Sequence, residues 1–178
     1  MAFTSKEDEE FFAALGRLTI SWARIELGLD CAVDVVHNVL GGQNVNRTAP
    51  QTALSRKIEY LRKWAKTVPE PTFRDAVPFL LADIEAASDT RHDLIHGVII
   101  KMEQGTGEAE MARIIHSRGS PTPSFEKKYF KVTTLDILRA AVAADKLGNR
   151  SVRFGTDLQD LIPILQKMID QTAGEVGG

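Results

Sequence analysis

Apolar residues near the start of the chain follow the spacing of a helix that buries one face. Alternating steps of four and three residues connect Phe11, Leu15, Leu18, Trp22, Ile25, Leu29, Ala32, Val36 and Val39. Thr4 or Ser5 can cap the start of this pattern, and Gly41-Gly42 can end it. The sequence therefore predicts one long helix over about residues 5–40.

Helical spacing recurs later in the chain and is interrupted once by β-type sequence. The predicted helices cover about 5–40, 51–66, 72–95, 134–147 and 157–171. The predicted strands cover 98–103, 111–116 and 128–132. Gly148-Asn149 is typical of a helix stop and divides the last two helices. We therefore predict an all-α, up-down bundle of about five helices, with a small hairpin or three-strand β insertion at 98–132 between helices 3 and 4.

Composition indicates a soluble globular protein. The chain has 178 residues, of which 43% are hydrophobic and 26% charged, which predicts a single domain over 1–178 with a loose tail at 173–178. Charges interrupt every apolar stretch before the ~20 residues of a membrane span. The first residues do not resemble a signal peptide, so we expect a cytoplasmic protein without membrane contact.

Charge and cysteine content narrow the classes of function. The net charge is −2 and the pI is about 6.1, which argues against a broad basic surface for nucleic acid but leaves room for a small basic site. Cys31 is the single cysteine, so neither an intramolecular disulfide nor a Cys-rich zinc site can form.

A dense polar cluster interrupts the end of the third predicted helix. Arg91 takes a position in the apolar stripe, and the neighbouring arc carries Asp89, His92, Asp93 and His96. Five residues place Arg91 and His96 about 140° apart around the helix, so we expect them to flank one groove rather than to bond. The cluster is either a solvated polar face or an acid–base histidine beside an arginine that stabilises an anion.

The segment Arg91-His92-x-x-x-His96 resembles the Arg-x4–6-His motif of the HEPN (higher eukaryotes and prokaryotes nucleotide-binding) superfamily. In that family the motif lies at the end of a long helix in an all-α bundle. The first helix, with Trp22-Ala23-Arg24-Ile25-Glu26-Leu27, is also similar to the first helix of small bacterial HEPN-like proteins. The β insertion departs from the core pattern of the family.

The resemblance implies a homodimer in which two motif helices face each other. Active members are metal-independent endoribonucleases of toxin or defence type, in which Arg91 would hold the scissile phosphate and His96 would be the acid or base. His92 would be a polar helper, Glu26 and Asp93 are the further candidates for orienting groups, and neither cofactor nor metal is expected. RNA and a cognate antitoxin or partner protein are the implied partners. Other members are non-catalytic dimers that bind a ligand or a protein, so both functions stay open.

Two further features have two interpretations each, and a third concerns metal binding. Glu26 borders the apolar face of the first helix and either pairs with Arg91 or lies in solvent. The second predicted helix, over about 51–66 and labelled α2, carries four basic residues that we call the α2 basic row: Arg56, Lys57, Arg62 and Lys63. This row either contacts RNA phosphates or is a solvated face. The acids and histidines of 89–96 share one helix, and a metal site needs ligands from another element, so no metal is expected.

Overall fold

A computed structural model describes residues 5–49, 53–116 and 125–176. The described residues form four α-helices: α1 (Lys6–Asn38), α2 (Leu54–Ala65), α3 (Pro71–His96) and α4 (Thr134–Val176). A short 3-10 helix, Gly42–Asn44, follows α1. Three strands, β1 (Val98–Glu103), β2 (Glu108–His116) and β3 (Phe125–Thr133), lie between α3 and α4. None of the helices among these residues is long and apolar enough to cross a bilayer.

The fold class differs from the prediction in the number of helices. The two helices predicted after the insertion are one, because Gly148 continues the buried stripe of α4 instead of ending the helix. Steps of four and three connect Ile137, Ala141, Ala144, Gly148, Ser151, Gly155 and Leu158, all of which are buried. Gly148 keeps a negative φ, whereas a helix-ending glycine adopts the left-handed conformation. The helix also includes residues 173–176, which the sequence analysis assigned to a loose tail.

An all-α description is also wrong, since the sheet contributes side chains to a core. The strands pair antiparallel in the order β1-β2-β3. Ala109, Met111 and Val132 of this sheet are buried. Gly105 and Gly107 have φ values of 77° and 65°, which lets the chain turn between β1 and β2. The predicted position of the insertion, after the third helix, is confirmed.

The chain divides into two compact units, and each consists of two separate segments. The sheet-containing unit comprises Met1–Ala23 and Ala86–Lys146, and the helical unit comprises Arg24–Glu85 and Leu147–Gly178. In the sheet-containing unit, α1 begins as predicted at a Ser5 cap, whose Oγ accepts a hydrogen bond from Asp8 N at 3.2 Å. The buried side chains of this part of α1 include Phe11, Leu18 and Trp22.

In the helical unit, α2 fixes the end of α1. The indole Nε1 of Trp64 donates to the carbonyl oxygen of Leu40 at 3.1 Å, and the hydroxyl of Tyr60 lies 3.1 Å from His37 Nδ1. Burial raises the pKa of Tyr60, so its hydroxyl stays protonated. These aromatic residues satisfy polar groups that the end of α1 would otherwise leave unpaired.

Candidate functional site

The Arg–His motif, defined as Arg91, His92 and His96, occupies the last two turns of α3. Arg91 and His92 are half-buried, and His96 is exposed at the final residue of the helix. All three belong to the sheet-containing unit. The helix ends at His96, Gly97 follows, and β1 begins at Val98. The motif therefore lies where α3 meets the sheet.

Arg91 contacts two side chains that hold its guanidinium in place. Its Cζ lies 5.6 Å from the ring centroid of the buried Trp22, a cation–π distance. Its Nη1 lies 2.8 Å from His96 Nε2. The expectation that Arg91 and His96 would not bond is therefore wrong, because the long arginine side chain extends along the helix axis to the final residue.

The contact between Arg91 and His96 defines the tautomer of the histidine. A guanidinium only donates hydrogen bonds, so His96 Nε2 must be the acceptor and carries no proton in this arrangement. The ring of His92 lies beside it, with centroids 5.3 Å apart and planes inclined by 30°. The lone pair of the His96 Nε2 atom is thus directed at the guanidinium of Arg91, and the His96 side chain as a whole is exposed.

The pKa of His92 is lowered from its ordinary value. Burial is the main cause, followed by the positive charges of Arg91 and Arg113 and by His96, while Asp89 opposes the shift. His92 is therefore neutral at pH 7. It can donate or accept a hydrogen bond beside His96 without adding another positive charge.

Asp93 joins the motif helix to the sheet through two ion pairs. Its Oδ1 accepts a hydrogen bond from Arg113 Nη1 at 2.8 Å, and its Oδ2 accepts one from Lys128 Nζ at 2.5 Å. Arg113 of β2 and Lys128 of β3 are directly opposite each other in the strand pair. We call these three residues the Asp93 clamp.

Gly97 allows α3 and the sheet to approach closely. A methyl group added there would overlap the carbonyl oxygen of Asp93 and would lie 3.0 Å from Met111 Cε and 3.4 Å from Phe130 Cζ. Only glycine fits this position without displacing the backbone of α3.

The roles of Arg113 and Lys128 and the contact of Trp22 with Arg91 were not predicted from the sequence. A signal for the first two exists in the strand pattern. Alternation places Arg113 on the same face of β2 as Met111, and Lys128 on the same face of β3 as Phe130. The register of the β2–β3 pair must also be known before Arg113 and Lys128 can both be placed beside Asp93.

Glu26 and the α2 basic row belong to the helical unit. Glu26 is half-buried on α1. In the row, Lys57 is buried and forms an ion pair with Asp30. Arg62 pairs with Glu85 at 2.8 Å, and Lys63 pairs with Glu59 at 2.7 Å. Arg56 is exposed.

The α2 basic row therefore differs from a free basic surface, because carboxylates of the chain itself contact three of its four cations.

Among residues 5–49, 53–116 and 125–176, no group of three or more His, Cys, Asp or Glu side chains could hold a metal ion. Comparison of the chain with protein-family models, curated proteins and solved structures gives no match.

Proposed function

We propose that the chain is a HEPN-like, metal-independent endoribonuclease, with Arg91 and His96 as its catalytic residues. The contact of 2.8 Å between Arg91 Nη1 and His96 Nε2 carries this proposal. It joins a cation that can bind a phosphate to a neutral imidazole that can accept a proton. These are the two groups that cleavage of an RNA phosphodiester by its own 2′-hydroxyl requires.

The reaction follows from the roles of these two groups. The guanidinium of Arg91 binds the non-bridging oxygens of the phosphate and stabilises the negative charge that develops there. When the guanidinium turns from His96 to the phosphate, the lone pair of His96 Nε2 is released and removes the proton of the ribose 2′-hydroxyl. The 2′-oxygen forms a bond to phosphorus, the bond to the 5′-oxygen breaks, and that oxygen takes up a proton from water. The products are a 2′,3′-cyclic phosphate and a free 5′-hydroxyl.

His92 supports this reaction as a neutral helper. Its lowered pKa keeps it uncharged at pH 7, so it does not compete with Arg91 for the phosphate. A homodimer would bring two such motifs together, as the resemblance to the HEPN superfamily implies. A cognate antitoxin or another partner protein then belongs to the same proposal, as does a role in defence.

The alternative is a non-catalytic HEPN-like dimer that binds a ligand or partner protein. The contacts of Arg91 favour it, because Trp22 and His96 of the same chain already occupy the guanidinium. The net charge of −2 and the ion pairs of the α2 basic row point in the same direction. In this case the motif is a structural network.

Cleavage of RNA in the presence of EDTA tests the proposal. We expect the purified protein to cleave single-stranded RNA, and His96→Ala and Arg91→Ala each to lower the rate at least about 100-fold. Arg139→Ala is the matched control, because Arg139 is an exposed arginine of the same unit whose nearest carboxylate is Asp136 at 3.8 Å. This control should cleave at the wild-type rate.

The ends of the products decide between mechanisms. Cleavage by the 2′-hydroxyl leaves a cyclic phosphate, and substrates with 2′-deoxy nucleotides should resist cleavage. If varied RNAs remain intact with folded wild-type protein, the catalytic function is wrong and the binding module is favoured. Residual cleavage by His96→Ala at the wild-type rate would assign the activity to a contaminant.

A further inference from the structure

The last turn of α3 contains an acidic side chain where a helix disfavours one. Asp93 lies three residues before the end of α3, and the free carbonyl groups there repel negative charge. Its side chain is only 16% exposed, so its carboxylate is also largely removed from water. Such a group needs compensating cations, and Arg113 and Lys128 provide one for each oxygen.

The sheet presents both cations from one face. Arg113 and Lys128 are opposite each other in the β2–β3 pair, so their side chains point to the same side. Met111 and Phe130 point to this side as well and approach the chain at Gly97. The ammonium of Lys128 also lies 5.8 Å from the ring centroid of Phe130. The face thus combines an apolar contact and two charged contacts to the end of α3.

We propose that Asp93 is a positioning residue for the motif. Its carboxylate holds the last turn of α3 against the sheet through Arg113 and Lys128. That turn carries His96 and orients Arg91, so the insertion sets the geometry of the catalytic pair. The catalytic part of this inference rests on the proposed endoribonuclease, whereas the positioning itself can be measured on the protein without substrate.

The clamp also sets the charge around His92. The groups that face this imidazole are Asp89, Arg91 and His96 of α3 and Arg113 of β2. Lys128 of β3 reaches the same region through Asp93. Loss of the Asp93 carboxylate leaves the cations uncompensated, while loss of the Lys128 ammonium leaves the carboxylate of Asp93 compensated by Arg113 alone. The two changes therefore act on His92 with opposite signs.

Kinetics of RNA cleavage test the positioning role. Asp93→Asn keeps the size of the side chain and removes its charge, and we expect a roughly 10-fold lower kcat with little change in KM, since a small misplacement of catalytic groups slows chemistry. Lys128→Met should act in the same direction. The double variant should be no slower than Asp93→Asn alone, because both changes break one interaction.

Lys127→Met is the matched control for these variants. Lys127 is the adjacent lysine of β3, lies opposite Ile114 and points to the other face of the sheet. It should leave both kcat and KM unchanged. A decrease for Lys127→Met equal to that for Lys128→Met would overturn the proposal, because any lost lysine would then have the same effect.

Histidine titration by NMR gives a readout that needs no RNA. We expect Asp93→Asn to lower the pKa of His92 further, Lys128→Met to raise it, and Lys127→Met to leave it at the wild-type value. These shifts with an inactive wild type would support the clamp and contradict the endoribonuclease. If His92 and His96 in both clamp variants keep the titration curves and ring resonances of the wild type, the proposed positioning role of Asp93 is wrong, whatever the activity.

Discussion

Two regions of the molecule gather basic residues, and they differ in how the charges are compensated. One is the Arg–His motif together with the Asp93 clamp, and the other is the α2 basic row. At the motif, Arg91 lies beside two histidines, and cations from two strands share one carboxylate. Along α2, each engaged cation has its own carboxylate: Lys57 has Asp30, Arg62 has Glu85 and Lys63 has Glu59. The α2 pairs balance charge locally, whereas the motif places a guanidinium next to two imidazole rings.

The comparison shows why a row of basic residues in a sequence is weak evidence for a phosphate site. The α2 basic row has the closely spaced basic residues that suggest a nucleic-acid site, yet one of them, Lys57, is buried and paired with Asp30. The residues of the clamp come from one helix and two strands and are far apart in the sequence. Two features distinguish the clamp from the α2 basic row. Residues from three separate elements meet in space at the clamp, and two cations there share one carboxylate.

The largest effect on the motif should come from Gly97→Ala. The added methyl group would overlap the carbonyl oxygen of Asp93, so the backbone at the junction of α3 and β1 must shift. We expect the free energy of unfolding to fall by about 1–3 kcal/mol, as for other overpacked sites. Urea denaturation measures this change, and RNA cleavage by the same variant should slow as the motif shifts.

Gly16→Ala is the control for the Gly97 substitution. Gly16 lies on an exposed position of α1, and no atom of the described residues comes within 4 Å of the added methyl group. Alanine should therefore raise stability by roughly 0.5–1 kcal/mol through its better helix propensity. Equal destabilisation by both substitutions would remove the special role of the contact at Gly97.

A loss of similar size should follow from Asp30→Ala in the helical unit. The side chain of Lys57 is 7% exposed, so removal of its partner leaves a buried ammonium group. Because Asp30 itself is half-exposed and water can enter, we expect a loss of about 1–3 kcal/mol, less than for a fully buried pair. The double variant with Lys57→Met should recover most of the stability, as urea denaturation would show.

Arg56→Ala sharpens this contrast within the same row. Arg56 is exposed, and its removal should change the free energy of unfolding by less than about 0.5 kcal/mol. If Asp30→Ala were as mild as Arg56→Ala, Lys57 would not need its partner, and the α2 basic row would become a candidate phosphate surface again.

The smallest effect concerns the pH dependence of stability at His92. Its pKa is lowered in the folded protein, so the unfolded chain binds a proton first as the pH falls through about 6.5. Wild-type stability should therefore decline between pH 7.5 and the lower folded pKa, and His92→Gln should lose less over this range. Urea midpoints at about pH 8 and pH 5.5 measure the difference. A parallel decline of both proteins would contradict the lowered pKa.

Sequence pattern located the long elements because they depend on local periodicity. The helix predicted over 5–40 is α1 at Lys6–Asn38, and the three predicted strands are present. Gly148 was misjudged because its low helix propensity argues for a stop, whereas its position continues the buried stripe of α4. Local propensity and the buried pattern conflict there, and the helix continues.

The site was only partly predictable for the same reason. Arg91, His92, Asp93 and His96 are close in sequence, so helical spacing brought them to one cluster. Arg113 and Lys128 are 20 and 35 residues from Asp93, and their approach depends on the register of two strands. The bond between Arg91 and His96 depends on a side-chain conformation, which spacing between backbone positions does not define.

The division of the chain into two units limits where the chain can be cut or joined to another protein. The boundaries between the two units fall inside α1, α3 and α4 rather than in loops. The segments of the two units alternate along the chain, so neither unit is a continuous stretch of sequence. Truncation at one end of the chain therefore cannot remove one unit and leave the other whole. We therefore expect recombination, limited proteolysis and split-protein designs to succeed at the connections between elements, for instance at residues 45–49, and to fail at the boundaries of the units.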